Sequence, residues 1–509
     1  MTINWTALVI FVLLFVFITV LGFLAAHWRR GDLDLLHEWG LGGRRFGTVV
    51  TWFLLGGDLY TAYTFIAVPA LMFGAGAVGF FAVPYTIVIY PLLYLLFPMI
   101  WKVAHERGCV TAADIVQSEF GNRWLALAIA VTGLVATMPY IALQLVGMQV
   151  VIGALGIATD SVVGDLPLII AFVILAAFTY TSGLRAPAMI AVVKDVLIYF
   201  TVLAAIIVVP LHIGGIDKIF AAVPAAKLTL AVPPAGSLGA YSNYATLALG
   251  LALALFLYPH AMTGILSSSS ARVIRRNAAI LPAYSLMLGL LALLGFMAIA
   301  LNVQQMPEYA DGFKRYGNNF SVPALFLATF PSWFVGIAFA AIAIGALVPA
   351  AIMSIAAANT WTRNVHRAFF KPNATDAEEA RMAKLVSLIV KAGALVFIFA
   401  LPLEYAIQLQ LLGGIWMIQI FPAVVLGLRW RFLNGWALLI GWAVGTATGT
   451  WMASLLAFKG SAYALTLFGL AIPGYAALYS LIVNLAVAIV LSLLFSAAGA
   501  GHRAAAAAR

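Results

Sequence analysis

Leu55-Gly56-Gly57-Asp58-Leu59-Tyr60 interrupts one long apolar segment of the chain, and Leu257-Tyr258-Pro259-His260 interrupts a second. Paired glycines weaken a helix, and Pro259 has no N–H to offer the carbonyl four residues back. In hydrocarbon the backbone groups freed by a break find no water, so the break has to line a cavity or meet protein. Half-helix N-termini present N–H groups and positive dipole ends to an anion, and half-helix C-termini present carbonyls to a cation. Each break lies in the first of a run of five apolar segments. Breaks at matching positions of two halves point to the binding site of an inverted-repeat transporter. Incidental kinks are the plainer alternative for either break alone, but an acid in one and a histidine in the other weigh against it for the pair.

The surroundings of both breaks read as membrane. Of 509 residues 64% are hydrophobic and 9% charged, with a mean hydropathy of +1.08. An ordinary soluble domain carries about 25% charge, so this surface does not face water. The apolar residues come in blocks long enough to span hydrocarbon, which takes about 20 residues per helix. Thirteen spans are expected, at about 4–27, 49–73, 76–100, 123–152, 165–182, 189–214, 243–269, 277–301, 322–358, 381–401, 404–428, 435–457 and 476–497. The alternating polarity of a membrane β-barrel is missing. The fold class expected is therefore all-α, a polytopic membrane protein.

Charge supports the count. With the N-terminus outside and the C-terminus cytoplasmic, twenty of the 27 Lys and Arg fall in cytoplasmic segments and five on the other side, with Lys194 and Lys391 inside helices. This is the positive-inside pattern of an inner-membrane protein. The net charge of +10 is thus read as orienting the chain in a lipid bilayer, and no nucleic-acid partner is implied. The segment Asn4 to Trp28 has no basic residue before it and Arg29-Arg30 after it, the reverse of a signal peptide. The single cysteine, Cys109, has no cysteine to pair with and suggests no metal site.

The stretch Gly42-Gly43-Arg44, then Gly56-Gly57-Asp58-Leu59-Tyr60-Thr61-Ala62-Tyr63-Thr64-Phe65 and Pro69, resembles the first core helix of the sodium/solute symporter family. Tyr258-Pro259-His260, Ser270-Ala271-Arg272 and Arg275-Arg276 resemble its sixth core helix and the loop that follows. Thr362-Arg363-Asn364 is similar to the end of its eighth, and Phe421-Pro422, Leu426-Gly427-Leu428 and Trp430 to its tenth. Within the family, Phe256 to His260, Gly264-Ile265-Leu266 and Val348-Pro349-Ala350-Ala351-Ile352-Met353-Ser354 look most like the bacterial monocarboxylate transport permeases. The resemblance implies a five-plus-five inverted-repeat (LeuT-type) core with broken first and sixth core helices. Its domains would be an extra N-terminal helix at 1–30, a transport core at 42–430 with repeats at about 49–214 and 243–428, two extra helices at 431–498 and a flexible tail at 499–509. It also implies ion-coupled import of short monocarboxylates such as lactate or pyruvate, or of small amino acids, by alternating access.

Asp58 is the sharpest single candidate, since a carboxylate at mid-membrane costs about 2.5–3.5 kcal/mol on insertion scales and marks an ion or proton path. A plain helix cap is its structural alternative. By resemblance the sodium site takes the carbonyls of Gly56 and Leu59, with Gly345, Val348 and Pro349 on the eighth core helix. The two hydroxyls the family places there are absent from Val348 and Pro349, and a hard cation wants oxygen ligands. The coupling cation is therefore left as sodium or proton, with Asp58 and His260 as proton carriers in the second case. No organic cofactor is expected, and no metal beyond sodium at these positions.

For the small carboxylate, the expected site comprises Gly57, Tyr60, Thr61, Gln144, Met148, Leu255, Tyr258 and His260. Amides at 57–60 and 258–263 would hold the anion, and Tyr140, Gln144 and Met148 would share one helical face. Lys194 is expected to snorkel to water at the inner interface, beside Asp195, which resembles the family's acidic residue on the fifth core helix. Lys391 sits near mid-span with no nameable partner, and Gln419 is a further polar candidate. An enzyme would need a nucleophile or metal cluster that seven His and one Cys do not supply. A sensor would need a signalling domain beyond residue 498, and a channel would not need paired breaks.

Overall fold

The computed structural model describes residues 2–28, 31–57, 60–61, 63–157, 166–400 and 406–498. Asp58 and Leu59 lie outside the described residues, as does the tail expected at 499–509.

In chain order the helices are α1 (Trp5–Leu24), α2 (Leu36–Leu41), α3 (Thr48–Gly57), α4 (Val68–Ala75), α5 (Ala82–Glu106), α6 (Ala112–Phe120), α7 (Arg123–Ala154), α8 (Leu166–Ser182) and α9 (Arg185–Ile213). The second part continues with α10 (Gly239–Leu255), α11 (Pro259–Leu266), α12 (Ala271–Ile280), α13 (Pro282–Ala300), α14 (Ser332–Trp361), α15 (Asp376–Ala400), α16 (Ala406–Met417), α17 (Gly435–Ser454) and α18 (Ala476–Ala497), with shorter helical turns between. Among the described residues eight helical runs are long and apolar enough to cross a membrane, nine if α10 and α11 form one span bent by 50°. Helices α3 and α8 are apolar but shorter.

The centre is α14, packed against α7, α1, α9 and α15. It is buried over almost its whole length, which explains a sequence apolar on every face. Lipid-facing helices differ: α1 and α9 leave Leu13, Val16, Val196 and Ile207 exposed.

One expectation is corrected. The single span expected at 322–358 is divided, because Phe330 precedes Pro331 and is held extended, so Ser321–Thr329 ends and α14 starts afresh at Ser332. The all-α fold also carries one short hairpin between α17 and α18, where strands β1 (Ala462–Leu467) and β2 (Leu470–Tyr475) pair antiparallel. Their two-residue turn, Phe468-Gly469, has both residues at positive φ, the turn whose twist matches a hairpin. The hairpin pins the loop before α10 through Leu238 N to Ala471 O (2.8 Å) and Ala471 N to Gly236 O (2.8 Å).

One face of the bundle gathers the arginine-rich segments. Glu38 accepts from the buried Arg185 and pairs with Arg45 at 3.0 Å. Arg363 meets Asp114 (3.3 Å) and Glu379 (3.1 Å), and Arg367 meets Glu379 (2.6 Å). Gly42, Gly43 and Arg44 take φ of +58°, +69° and +55° in succession, a tight left-handed turn that glycine makes without steric cost. The turn brings Arg44 Nη2 to the carbonyl of Cys109 (2.7 Å).

Candidate functional site

The first break opens where α3 ends at Gly57. A Cβ on Gly56 would lie 2.1 Å from ring carbons of Tyr284, so glycine lets α3 and α13 touch here. The carbonyl of Gly56 is occupied, accepting from Tyr60 N at 3.2 Å. Among the described residues of the break, the carbonyls of Gly57 and Tyr60 meet a cation, and that cation is a side chain. Lys194 Nζ donates to Gly57 O at 2.6 Å and to Tyr60 O at 3.1 Å. It also pairs with Asp195 Oδ1 at 3.0 Å, and both side chains are fully buried. Lys194 thus turns inward from α9 rather than snorkelling to water.

Asp195 is held from its other side by Tyr284, whose hydroxyl donates to Oδ2 at 2.6 Å. The Tyr60 hydroxyl donates to the carbonyl of Tyr284 at 3.1 Å. Tyr60, Tyr199 and Tyr284 lie ring to ring, with centroids 4.7–6.0 Å apart, and Trp52 closes the cluster 4.7 Å from Tyr284. Across the break, a Cβ on Gly345 would sit 3.9 Å from Tyr60 O and 3.6 Å from Ile198 on α9. Val348 is buried on the same helix as Gly345.

The second break runs through Phe256 to Tyr258. Tyr258 is extended (ψ 140°) and Pro259 opens α11 at a first-turn position, where its missing N–H costs nothing. Tyr140 of α7, Tyr258 and His260 come together, with ring centroids 5.3–5.6 Å apart. The approach depends on glycines: a Cβ on Gly133 would lie 2.8 Å from Pro259 Cγ, and one on Gly413 would lie 3.3 Å from the Tyr258 hydroxyl oxygen. Gln144 Nε2 donates to the carbonyl of Tyr140 at 3.2 Å. A small pocket of about 20 Å³ adjoins this break, lined among others by Val110, Thr111, Gly133, Pro259, Thr263 and Met417.

The expected site residues therefore divide. Tyr258 and His260 gather with Tyr140 at the second break, and Gln144 bonds back to Tyr140 along α7. Tyr60 turns to α9 and α13 at the first, and Thr61 is engaged locally, its N–H donating to Thr64 Oγ1 at 2.9 Å. Met148 is buried on α7 one turn beyond Gln144, and Leu255, half-buried, ends α10. The broken halves do pack together: Leu55 Cδ2 would lie 2.7 Å from a Cβ on Gly264.

Of the remaining polar candidates, Lys391 donates to Ser387 Oγ at 2.6 Å. Gln419 is structural, bonded to Ser480 (2.8 Å) and Asn484 (3.1 Å) of α18. Sequence reasoning missed Tyr199 and Tyr284. Their one signal is a polar hydroxyl in an otherwise apolar span.

Residues 39–445 match the sequence profile described as "Sodium:solute symporter family". The chain belongs to that family. The symporter is 51% identical over 500 residues to a protein of Rhizobium johnstonii named "Monocarboxylate transport permease protein", covering 97% of this chain and 98% of that one. It is 34% identical to an uncharacterized symporter of Bacillus subtilis, YodF, over 87% of each chain. A solved structure of a Na+-coupled sialic acid symporter, substrate-bound and outward-open, superposes with a TM-score of 0.77 at 14% identity, covering 96% of this chain and 98% of that one. This likeness gives the fold, helical and of the LeuT type. The symporter is a multi-pass membrane transporter and not an enzyme. Family membership supports sodium as the coupling ion.

Proposed function

We propose that the symporter imports short monocarboxylates, of the size of lactate or pyruvate, together with a cation by alternating access in the inner membrane. The observation that carries this reading is the 51% identity, across nearly the whole of both chains, to a monocarboxylate transport permease. The second break supports it. Tyr140, Tyr258 and His260 form an aromatic, polar cluster at the N-terminus of α11, and Leu251 and Leu255 on α10 leading into the break would offer an apolar lining for a short alkyl tail. Helix N-termini favour a carboxylate, and no arginine lies beside this break among the described residues to take that role. The five-plus-five repeat, the thirteen spans and the N-outside orientation belong to the same reading.

The test is competition in proteoliposomes: labelled lactate against pyruvate, acetate, alanine and longer acids. Short 2-oxo and 2-hydroxy acids should compete best, and His260→Gln with Tyr258→Phe should raise KM more than they lower the maximal rate. Equal competition by neutral sugars, or unchanged KM in both variants, would refute the placement.

A further inference from the structure

The family supports a sodium ion at the break in its first core helix, bound between that helix and the eighth. The oxygens present in this chain do not fit one well. Gly345, Val348 and Pro349 bring no hydroxyl from α14, and among the described residues of the break the carbonyls of Gly57 and Tyr60 are both taken by Lys194.

We propose that Lys194 is a chain-borne cation that occupies the first-helix break in place of a free sodium ion. Three acceptors surround Nζ: Gly57 O at 2.6 Å, Tyr60 O at 3.1 Å and Asp195 Oδ1 at 3.0 Å. The ammonium, which only donates, gives hydrogen bonds to the two carbonyls, and the Asp195 carboxylate beside it balances its charge. The same oxygens are the hard donors a sodium ion would use. They cannot serve both ions, since a second positive charge would have to sit within van der Waals reach of the ammonium.

The position is built into the fold. Gly57 leaves room for the ammonium: a Cβ there would lie 2.8 Å from Nζ and push the lysine tip away from the carbonyl. Asp195 is fixed by Tyr284, and the pair carries no net charge into the bundle. Around Lys194 the titratable groups are Asp195 and Tyr199 on α9, Tyr60 after α3 and Tyr284 on α13. Asp58 adjoins the break outside the described residues, and the length of α14 facing α9 carries no titratable side chain. Lys194 therefore acts as a specificity-determining residue for the coupling ion.

The inference takes from the family reading only the place where a sodium would sit, and its test does not depend on the cargo. The purified full-length chain is titrated with 22Na+ against choline, with Trp52, 4.7 Å from Tyr284, as a fluorescence reporter at the site. Wild type should show no saturable sodium response. Lys194→Ala, which vacates both carbonyls and leaves Asp195, should gain one in the millimolar range, at least ten-fold tighter than wild type. Saturable sodium binding by wild type that Lys194→Ala leaves unchanged overturns the proposal, as does a folded Lys194→Ala that gains none. Should that variant not fold, wild-type uptake of labelled pyruvate decides. Retention within about two-fold in sodium-free choline medium supports the proposal, and a loss beyond ten-fold refutes it. No pyruvate uptake in either medium would count against the monocarboxylate reading alone, with the sodium titration of wild type then deciding the cation question.

Discussion

Replacing Glu38 by Gln should destabilise the protein far more than its place near an exposed face suggests. The Glu38 carboxylate pairs with Arg185, whose side chain is 1% exposed, and with Arg45, whose side chain is 53% exposed. Arg185 Nη1 also donates to the carbonyl of Glu38 at 2.8 Å. Removing one partner of a buried pair leaves the other charge uncompensated, at about 3–5 kcal/mol. The exposed pair with Arg45 contributes less than about 1 kcal/mol. Glu38→Gln should therefore lose about 3 kcal/mol or more, Arg45→Gln almost nothing, and Glu38→Leu combined with Arg185→Met should recover most of the loss, because no buried charge is then stranded. Equilibrium denaturant unfolding in micelles, followed by tryptophan fluorescence, measures all four chains. A Glu38→Gln protein within about 0.5 kcal/mol of wild type, the range of an ordinary surface change, would refute the reasoning, as would a double variant less stable than Glu38→Gln.

The other expectations test local geometry. Tyr284→Phe removes the hydroxyl that holds Asp195 at 2.6 Å; hydrogen bonds to charged groups contribute about 1.5–3 kcal/mol, so initial uptake rates should fall by about ten-fold or more while size-exclusion profiles stay unchanged. Gly133→Ala places a methyl 2.8 Å from Pro259 Cγ, whereas Gly47→Ala meets nothing within 4 Å; overpacking should cost the first about 1–3 kcal/mol in thermal unfolding and the second nothing measurable. Burial, with Asp114 nearby, pushes the Cys109 thiol up. Less thiolate then forms at neutral pH, so maleimide labelling should run at least ten-fold slower than in detergent-unfolded chain and quicken as pH rises.

Much of the architecture could be read from the chain because the membrane imposes one requirement on every spanning segment. Blocks of apolar length marked the helices, and Gly56-Gly57 and Tyr258-Pro259 marked both breaks to the residue. The hairpin Ala462–Tyr475 escaped, because its six-residue strands lie in a loop between spans and carry no strong alternation. Ser321–Thr329 and α14 were joined because a proline at position 331 resembles the prolines that long helices such as α5 and α7 absorb. The site was less legible. Lys194 reaches an acceptor 137 residues earlier in the chain, and nothing local to Lys194-Asp195 distinguishes an inward lysine from one that snorkels. Of the expected carbonyls, that of Gly56 is taken by Tyr60 N, while Leu59 lies outside the described residues. One hydrogen bond decides which carbonyls are free, and sequence spacing does not resolve it.

Both ends of α3 are anchored, and by different means. At its start Phe46 exchanges backbone bonds with Ser267 (3.2 Å) and Ser269 (2.9 Å) just after α11. Near its end Leu55 packs on Gly264 of α11. These contacts join α3 and α11 into one unit, although more than 200 residues separate them in the chain. Toward α9 the unit is held differently, by the rings of Trp52 and Tyr60 on Tyr199 and by the Lys194 side chain on the carbonyls of Gly57 and Tyr60. Backbone pairing and close glycine packing cannot stretch, whereas ring faces can slide and a four-carbon stem with rotatable bonds can follow. If alternating access moves the two broken helices against the rest of the bundle, the geometry lets α3 and α11 travel together. The seam that yields is then the one between α3 and α9, and Lys194 is the charged contact across it.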